Sequence, residues 1–297
     1  MKIDLSKLRT IELSDKKFFD AAAAKMNTQS CECSFANLFM YRKPYDITCI
    51  KLGNRMVVCE KKARIIHYPM GEWTPPDELQ RINAAFVEAG LTDGGIYDVP
   101  EEFLDKHPDC DRFFELEYDE GMIDYMFSID KIANFNGPKL RKKHNLVKQF
   151  QANWPYAEIR PVTKEELPFV AEMAVELNSR LEPCEFLDEE GIAMQEAWEH
   201  FDELGLSGII MYAEPGYAAG FSIFSMLPAE TVDVHFEKTD HSVKGASQTL
   251  TWQLAIALRG TAKFMNREQD MNEPNLRHAK RSLDPERFFK RYFLRQK

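Results

Sequence analysis

The chain runs twice through the same order of elements, and that recurrence limits its possible folds more than any other feature. Residues 1–45 read as helices: Ala-rich "SDKKFFDAAAAKM" with Ser14 as N-cap, then "SFANLFMYR", which sets Phe35, Leu38 and Phe39 on one face. Strands follow in "YDITCIKLGNRMVVCEKK", turning at Gly53-Asn54, and in "ARIIHYPMG". The half closes with helix "TPPDELQRINAAFVEAG", strand "GGIYDVP", two more strands in "RFFELEYDEGMIDYMFSI" and a basic helix interrupted near Gly137-Pro138. The order then restarts at "YAEIRPV". Two amphipathic helices follow, the first opened by a Thr163–Glu166 capping box. After them come a hairpin closed near Pro215-Gly216, strand "ETVDVHFEKTD", a helix ending at Gly260, a strand over 262–268 and a helix from about Glu273 to Arg281. The pattern predicts an α/β chain (α+β, mixed sheets) in two tightly packed domains, 1–152 and 153–297. At roughly 100–200 residues per domain, 297 residues fit that division.

Composition narrows the function classes. The net charge is -10, yet residues 277–297 hold eight Lys/Arg against two acids, and "KLRKKHNLVK" (139–148) holds five with no acid. An acidic body with two basic segments argues against indiscriminate nucleic-acid binding and fits a phosphorylated small molecule or one end of an RNA. No stretch reads as a leader or a membrane span, so the expected location is cytoplasmic. The six cysteines form no C-x-x-C pair, and "CEC" at 31–33 lacks a second ligand pair, so reduced, buried thiols are expected and no metal. No H-x-x-x-H zinc spacing and no G-x-S-x-G elbow is present. His235 reads as a core histidine within a strand whose Val232, Val234 and Phe236 share one face. Phe221, Phe224 and Trp252 read as core, and Tyr212 is in reach of the sheet's open end.

Two segments carry candidate chemistry. In "DVHFEKTDHSVKGASQTL" a buried strand enters a polar loop that narrows to Lys244-Gly245-Ala246 and opens a helix. Unpaired N–H groups at a helix start, two small residues and a lysine can hold a phosphate or pyrophosphate. In "NREQDMNEPNLRHAKRSLDP" a strand sets Asn266 and Glu268 on one face and Arg267 on the other, and stops at Asp270. Arg277, Lys280 and Arg281 then recur at i, i+3, i+4, with Ser282 ending the helix.

These residues carry a resemblance. "KGASQTLTWQLA" and "FMNREQDMNEPNLRHAKRSLDP" are similar to the family that shares the C-terminal domain of phosphatidylglycerol lysyltransferases, with its N-R-E-x-D-x-G and L-R-x-x-K-x-S-x-x-P stretches. The matches are Asn266, Arg267, Glu268, Asp270, Leu276, Arg277, Lys280, Ser282 and Pro285, and Asn272 stands in place of the glycine. "SFANLF", "YPMG" and "KLRKKHNLVKQF" extend the likeness over nearly the whole chain. The resemblance implies two tandem GNAT-like acyltransferase-fold domains, related in architecture to Fem-type aminoacyltransferases. It implies acyl-CoA or aminoacyl-tRNA as donor; the lysyltransferases carry membrane helices ahead of this domain, and with no such span read here a lipid is expected to be met at most peripherally.

Transfer of an acyl or aminoacyl group to an amine or hydroxyl needs a base, an oxyanion donor and a held substrate. Glu268 or Asp270 is the expected base. Arg267 or Arg277 is expected to hold a phosphate or the oxyanion. Lys244, Gly245, Ala246, Asn266, Lys280 and Ser282 complete the expected binding set. The alternative is a non-catalytic module that binds a phosphorylated ligand or RNA end through the basic segment.

Overall fold

The computed structural model describes residues 3–297. The strands are β1 (Arg9–Thr10), β2 (Ile47–Leu52), β3 (Arg55–Glu60), β4 (Ile65–His67), β5 (Gly95–Pro100), β6 (Phe114–Glu117), β7 (Asp124–Ser128), β8 (Glu158–Pro161), β9 (Ser207–Glu214), β10 (Tyr217–Leu227), β11 (Thr231–Thr239), β12 (Phe264–Asn266), β13 (Arg287–Phe289) and β14 (Arg291–Gln296). They form two seven-stranded mixed sheets, ordered β1-β2-β3-β4-β5-β14-β6 and β13-β7-β12-β11-β10-β9-β8.

Each sheet borrows a strand across the expected boundary. β14, the end of the chain, lies between β5 and β6, and β7 lies between β12 and β13. Residue 152 falls inside the helix Pro138–Asn153, which packs on the helix Ala246–Leu258, so sheet membership crosses the expected 152/153 division twice.

The cores repeat this interlock. One gathers Val57, Ile66, Phe86, Val99 and Phe103 with Leu294 from β14. A second joins Phe127, Ile132 and Phe150 to Val232, Leu250, Leu254 and Met265. The third unites Phe19, Phe35 and Phe39 of the first helices with Ala193, Ala197, Ile210, Phe221 and Phe236. Cutting Phe39 or Leu254 back to Ala would cost about 2–5 kcal/mol and loosen contacts in both halves.

Local expectations fail where tertiary contacts outbid them. Ser14 lies in the 3-10 turn Leu13–Asp15 and caps nothing. The Thr163–Glu166 box does not close: the Tyr212 hydroxyl donates to the Glu166 carboxylate at 2.6 Å, and Thr163 donates to Glu165. Tyr212 is therefore engaged away from the sheet's open end. Val232, Val234 and Phe236 do not share a face. The register runs Ile223↔Phe236 and then Phe224↔Val234, leaving His235 as the extra residue of a β-bulge. Val232 and Val234 enter one core and Phe236 another. Phe221 is fully buried, whereas Phe224 and Trp252 are partly exposed.

Candidate functional site

β11 and β12 run parallel but pair only from Thr231↔Phe264 to Asp233↔Asn266. β11 continues to Thr239 while the chain beyond Asn266 turns away, so the strands part. The strand expected over 262–268 thus ends two residues early, and Arg267 and Glu268 belong to the turn. A cavity of about 990 Å³ lies there, walled by residues of both halves, among them Glu32, Tyr41, His235, Arg267, Glu268 and Lys280.

The turn is fixed from beneath. Asn266 is fully buried and does not line the cavity; its Nδ2 donates to Asp124 Oδ2 at 2.6 Å and to the Gln29 carbonyl at 2.8 Å, and its Oδ1 accepts from the Glu268 N–H at 2.7 Å. Glu268, Met271 and Asn272 all take positive φ, between 52° and 61°. Asparagine tolerates that region, so Asn272 can hold a turn that would suit glycine. Its side chain also donates to Asp119 at 3.0 Å and accepts from Arg277 at 2.8 Å.

Asp270 is a clamp, not a cavity group. It is fully buried and accepts from Arg277 Nε at 2.7 Å and Nη2 at 2.8 Å, from the Tyr125 hydroxyl at 2.6 Å and from the Asn272 N–H at 2.9 Å. Burial pushes its carboxyl up, but these donors outweigh burial and hold it below the usual range. Arg277 is spent on that bidentate pair and does not face the cavity. Ser282 bonds the Ala279 carbonyl at 2.7 Å, outside the cavity.

Arg277, Lys280 and Arg281 therefore do not form one basic patch. Arg281 pairs with Glu120 at 2.5 Å, while Lys280 alone turns into the cavity, its Nζ bonded to the Gln269 carbonyl oxygen. Burial pulls Lys280 down to about 8, and the charge of Glu268 opposes that pull only in part. Arg267 Nη2 reaches Glu237 Oε1 at 2.5 Å, tying the turn to β11.

The second expected anion site is crowded by a neighbouring helix. Gly245 takes φ +84° at the start of the helix Ala246–Leu258, and a Cβ there would sit 2.5 Å from the Leu146 carbonyl oxygen. Gly245 and Ala246 are buried against the helix Pro138–Asn153, and Lys244 points to solvent away from the cavity. The basic stretch 139–148 lies on that same helix, where Lys139 pairs with Asp284 at 3.2 Å.

Several cavity residues escape a sequence reading. Glu32, the acid inside "CEC", faces the cavity; burial lifts its carboxyl to about 7 against the pull of Arg291. Gln269 Nε2 donates to Glu32 Oε1 at 3.1 Å, so one residue bridges Glu32 and Lys280. Arg291 is buried at the junction of the sheets, 2.6 Å from Asp98 and 2.5 Å from Asp124. His235, expected in a core, lines the cavity because the bulge re-aims it; its Nε2 pairs with Ser225 Oγ at 2.8 Å. Behind it Asp233 is fully buried, and burial followed by the charge of Glu268 pushes its carboxyl well up.

This arrangement can be set beside known proteins. The family described as phosphatidylglycerol lysyltransferase, C-terminal, matches residues 23–295. The chain belongs to that family. No curated protein matches the sequence with significance. Among solved structures, a conserved protein of unknown function from Bacteroides thetaiotaomicron superposes with a TM-score of 0.88 at 23% identity, covering 98% of this chain and 99% of that one. L-PGS from Bacillus licheniformis gives 0.61 at 12% identity over 84% of each chain. FemX gives 0.63 at 9% identity over 98% and 97%. These likenesses show the fold, two mixed α/β sheets with their helices in one tandem architecture. Among the described residues of this family member, no helix is long and apolar enough to cross a membrane.

Proposed function

We propose that the chain is an aminoacyltransferase that moves an aminoacyl group from an ester donor, aminoacyl-tRNA, to an amine or hydroxyl acceptor bound in the cavity between the sheets. Family and fold support acyl- or aminoacyl-transfer in general. The observation that carries the finer reading is the Glu32–Gln269–Lys280 bridge, with Glu32 near 7 and Lys280 near 8 on one cavity wall. Two groups tuned from opposite sides toward neutrality suit a general base and a general acid. The crowding of the helix start at Gly245 by the helix Pro138–Asn153 favours an ester donor over acyl-CoA held there by its pyrophosphate.

In this reading the acceptor's N–H or O–H attacks the aminoacyl carbonyl, and Glu32 takes its proton. The new C–N or C–O bond forms as the donor's ester C–O bond breaks. Lys280 protonates the departing ribose hydroxyl, and solvent returns a proton from Glu32 to Lys280. Arg267, held by Glu237, supplies fixed positive charge for a donor phosphate or the oxyanion.

The test is transfer from radiolabelled lysyl-tRNA to phosphatidylglycerol vesicles and to small amines, with thermal shifts measured for deacylated tRNA, CoA and acetyl-CoA. Transfer above spontaneous hydrolysis, with stabilisation by tRNA and none by CoA, is expected. Stabilisation by CoA alone, or no transfer from any aminoacyl-tRNA, overturns the reading.

A further inference from the structure

Three ligand-type side chains converge where β11 and β12 part, and the transfer steps above use none of them. Asp233 Oδ2 lies 3.6 Å and Glu268 Oε1 3.5 Å from His235 Nδ1. One ligand atom from each residue falls within 4.8 Å of the others. Asp233 is fully buried and neither of its oxygens has a hydrogen-bond partner; His235 Nδ1 and Glu268 Oε1 have none either. An orphaned buried carboxylate costs several kcal/mol unless a proton or a cation meets it.

The neighbouring cations do not meet it. Arg291 is committed to Asp98 and Asp124, Arg267 to Glu237, and Lys280 to the Gln269 carbonyl. Ser225 occupies His235 Nε2, which leaves Nδ1 facing two carboxylate oxygens. That is how an outer hydroxyl orients a metal-bound imidazole. Ligands about 2.0–2.1 Å from a tetrahedral ion stand roughly 3.3–3.4 Å apart, close to the two distances from His235 Nδ1. The backbone conspires as well: His235 is the bulged residue of β11, and Glu268 is held at positive φ.

We propose that Asp233, His235 and Glu268 form a binding site for one first-row divalent cation of the zinc or manganese type. One imidazole and two carboxylates select such an ion over calcium or magnesium. His235 and Glu268 line the cavity, so the ion's remaining coordination position faces the substrate space, where a carbonyl or phosphate oxygen can bind. The other convergence of ligand-type groups, Glu196, Glu199 and His200, differs because Glu196 is already neutralised by Arg42 and Lys43. The site stands apart from the transfer reading, because metal content is measured without turnover.

The full-length chain, stripped with chelator, is titrated with zinc, manganese and magnesium chlorides alone and then desalted for elemental analysis. Wild type is expected to retain one zinc or manganese ion per chain and to bind magnesium at least ~100-fold more weakly. Asp233→Asn and His235→Ala are expected to lose the ion, Ser225→Ala to weaken binding about 10–100-fold, and His200→Ala to match wild type. Cobalt loaded into wild type gives visible bands of a nitrogen–oxygen site, a reading that needs no variant to fold. Failure of wild type to retain any ion, full retention in folded His235→Ala, or loss in His200→Ala overturns the proposal. A chain that holds the ion yet transfers nothing sinks the transferase reading alone.

Discussion

The turns that follow β11 and β12 are built from similar materials and end in opposite states. After β11 the chain offers Lys244, Gly245 and the start of a long helix, but the helix Pro138–Asn153 covers that mouth and the lysine is left in solvent. After β12 it offers Arg267, Glu268 and a short helix, and the turn faces a large cavity with its lysine drawn inside. Local chemistry makes both turns plausible anion holders. What separates them is whether another element arrives to fill the space in front.

The contrast is tested most strongly by activity. Lys280→Met and Glu32→Gln are each expected to slow transfer by about 100-fold or more, while Lys244→Ala stays within about twofold of wild type. A comparable loss at Lys244 would mean that the covered mouth opens. The pH profile sharpens the same point. The kcat/KM for transfer should rise through about pH 7 as Glu32 loses its proton and fall above about pH 8 as Lys280 does. Glu32→Gln should remove the rising limb; an unchanged limb assigns it elsewhere.

Stability gives smaller effects. Lys280 sits near 8 in the folded chain against 10.5 for a free lysine, so the unfolded chain keeps its proton to higher pH. The burial cost is present in full below pH 8, and stability rises between about 8 and 10.5. Lys280→Met lacks that rise, so urea melts of the two proteins should shift relative to each other by up to ~3 kcal/mol across the window. Parallel profiles would place Lys280 in water. At the covered turn, Gly245→Ala combines positive φ with a close approach to the Leu146 carbonyl and should destabilise by about 2 kcal/mol, seen in the urea midpoint. A neutral effect there would show that the helix packs loosely.

Much of the element order is legible in the sequence, because Gly, Pro and apolar spacing punctuate it locally. The cluster 266–285 is legible as chemically dense, but its division of labour is not. An acid beside an arginine reads the same whether it clamps a turn, as Asp270 does, or lines a cavity, as Glu268 does. Alternation along β11 cannot announce a bulge, so His235 looks like core until its register is known. Glu32 and Arg291 meet across 259 positions of sequence, which no local pattern records.

β14 completes the first sheet with Arg291–Gln296, a strand made after the others in either sheet. During synthesis, β5 and β6 must therefore wait for a neighbour encoded more than 170 residues downstream. Arg291 begins that same strand and pairs with Asp98 and Asp124, so those two acids lack their guanidinium partner until β14 is made. A nascent or prematurely terminated polypeptide carries the motif at 266–285 without a finished pocket to use it.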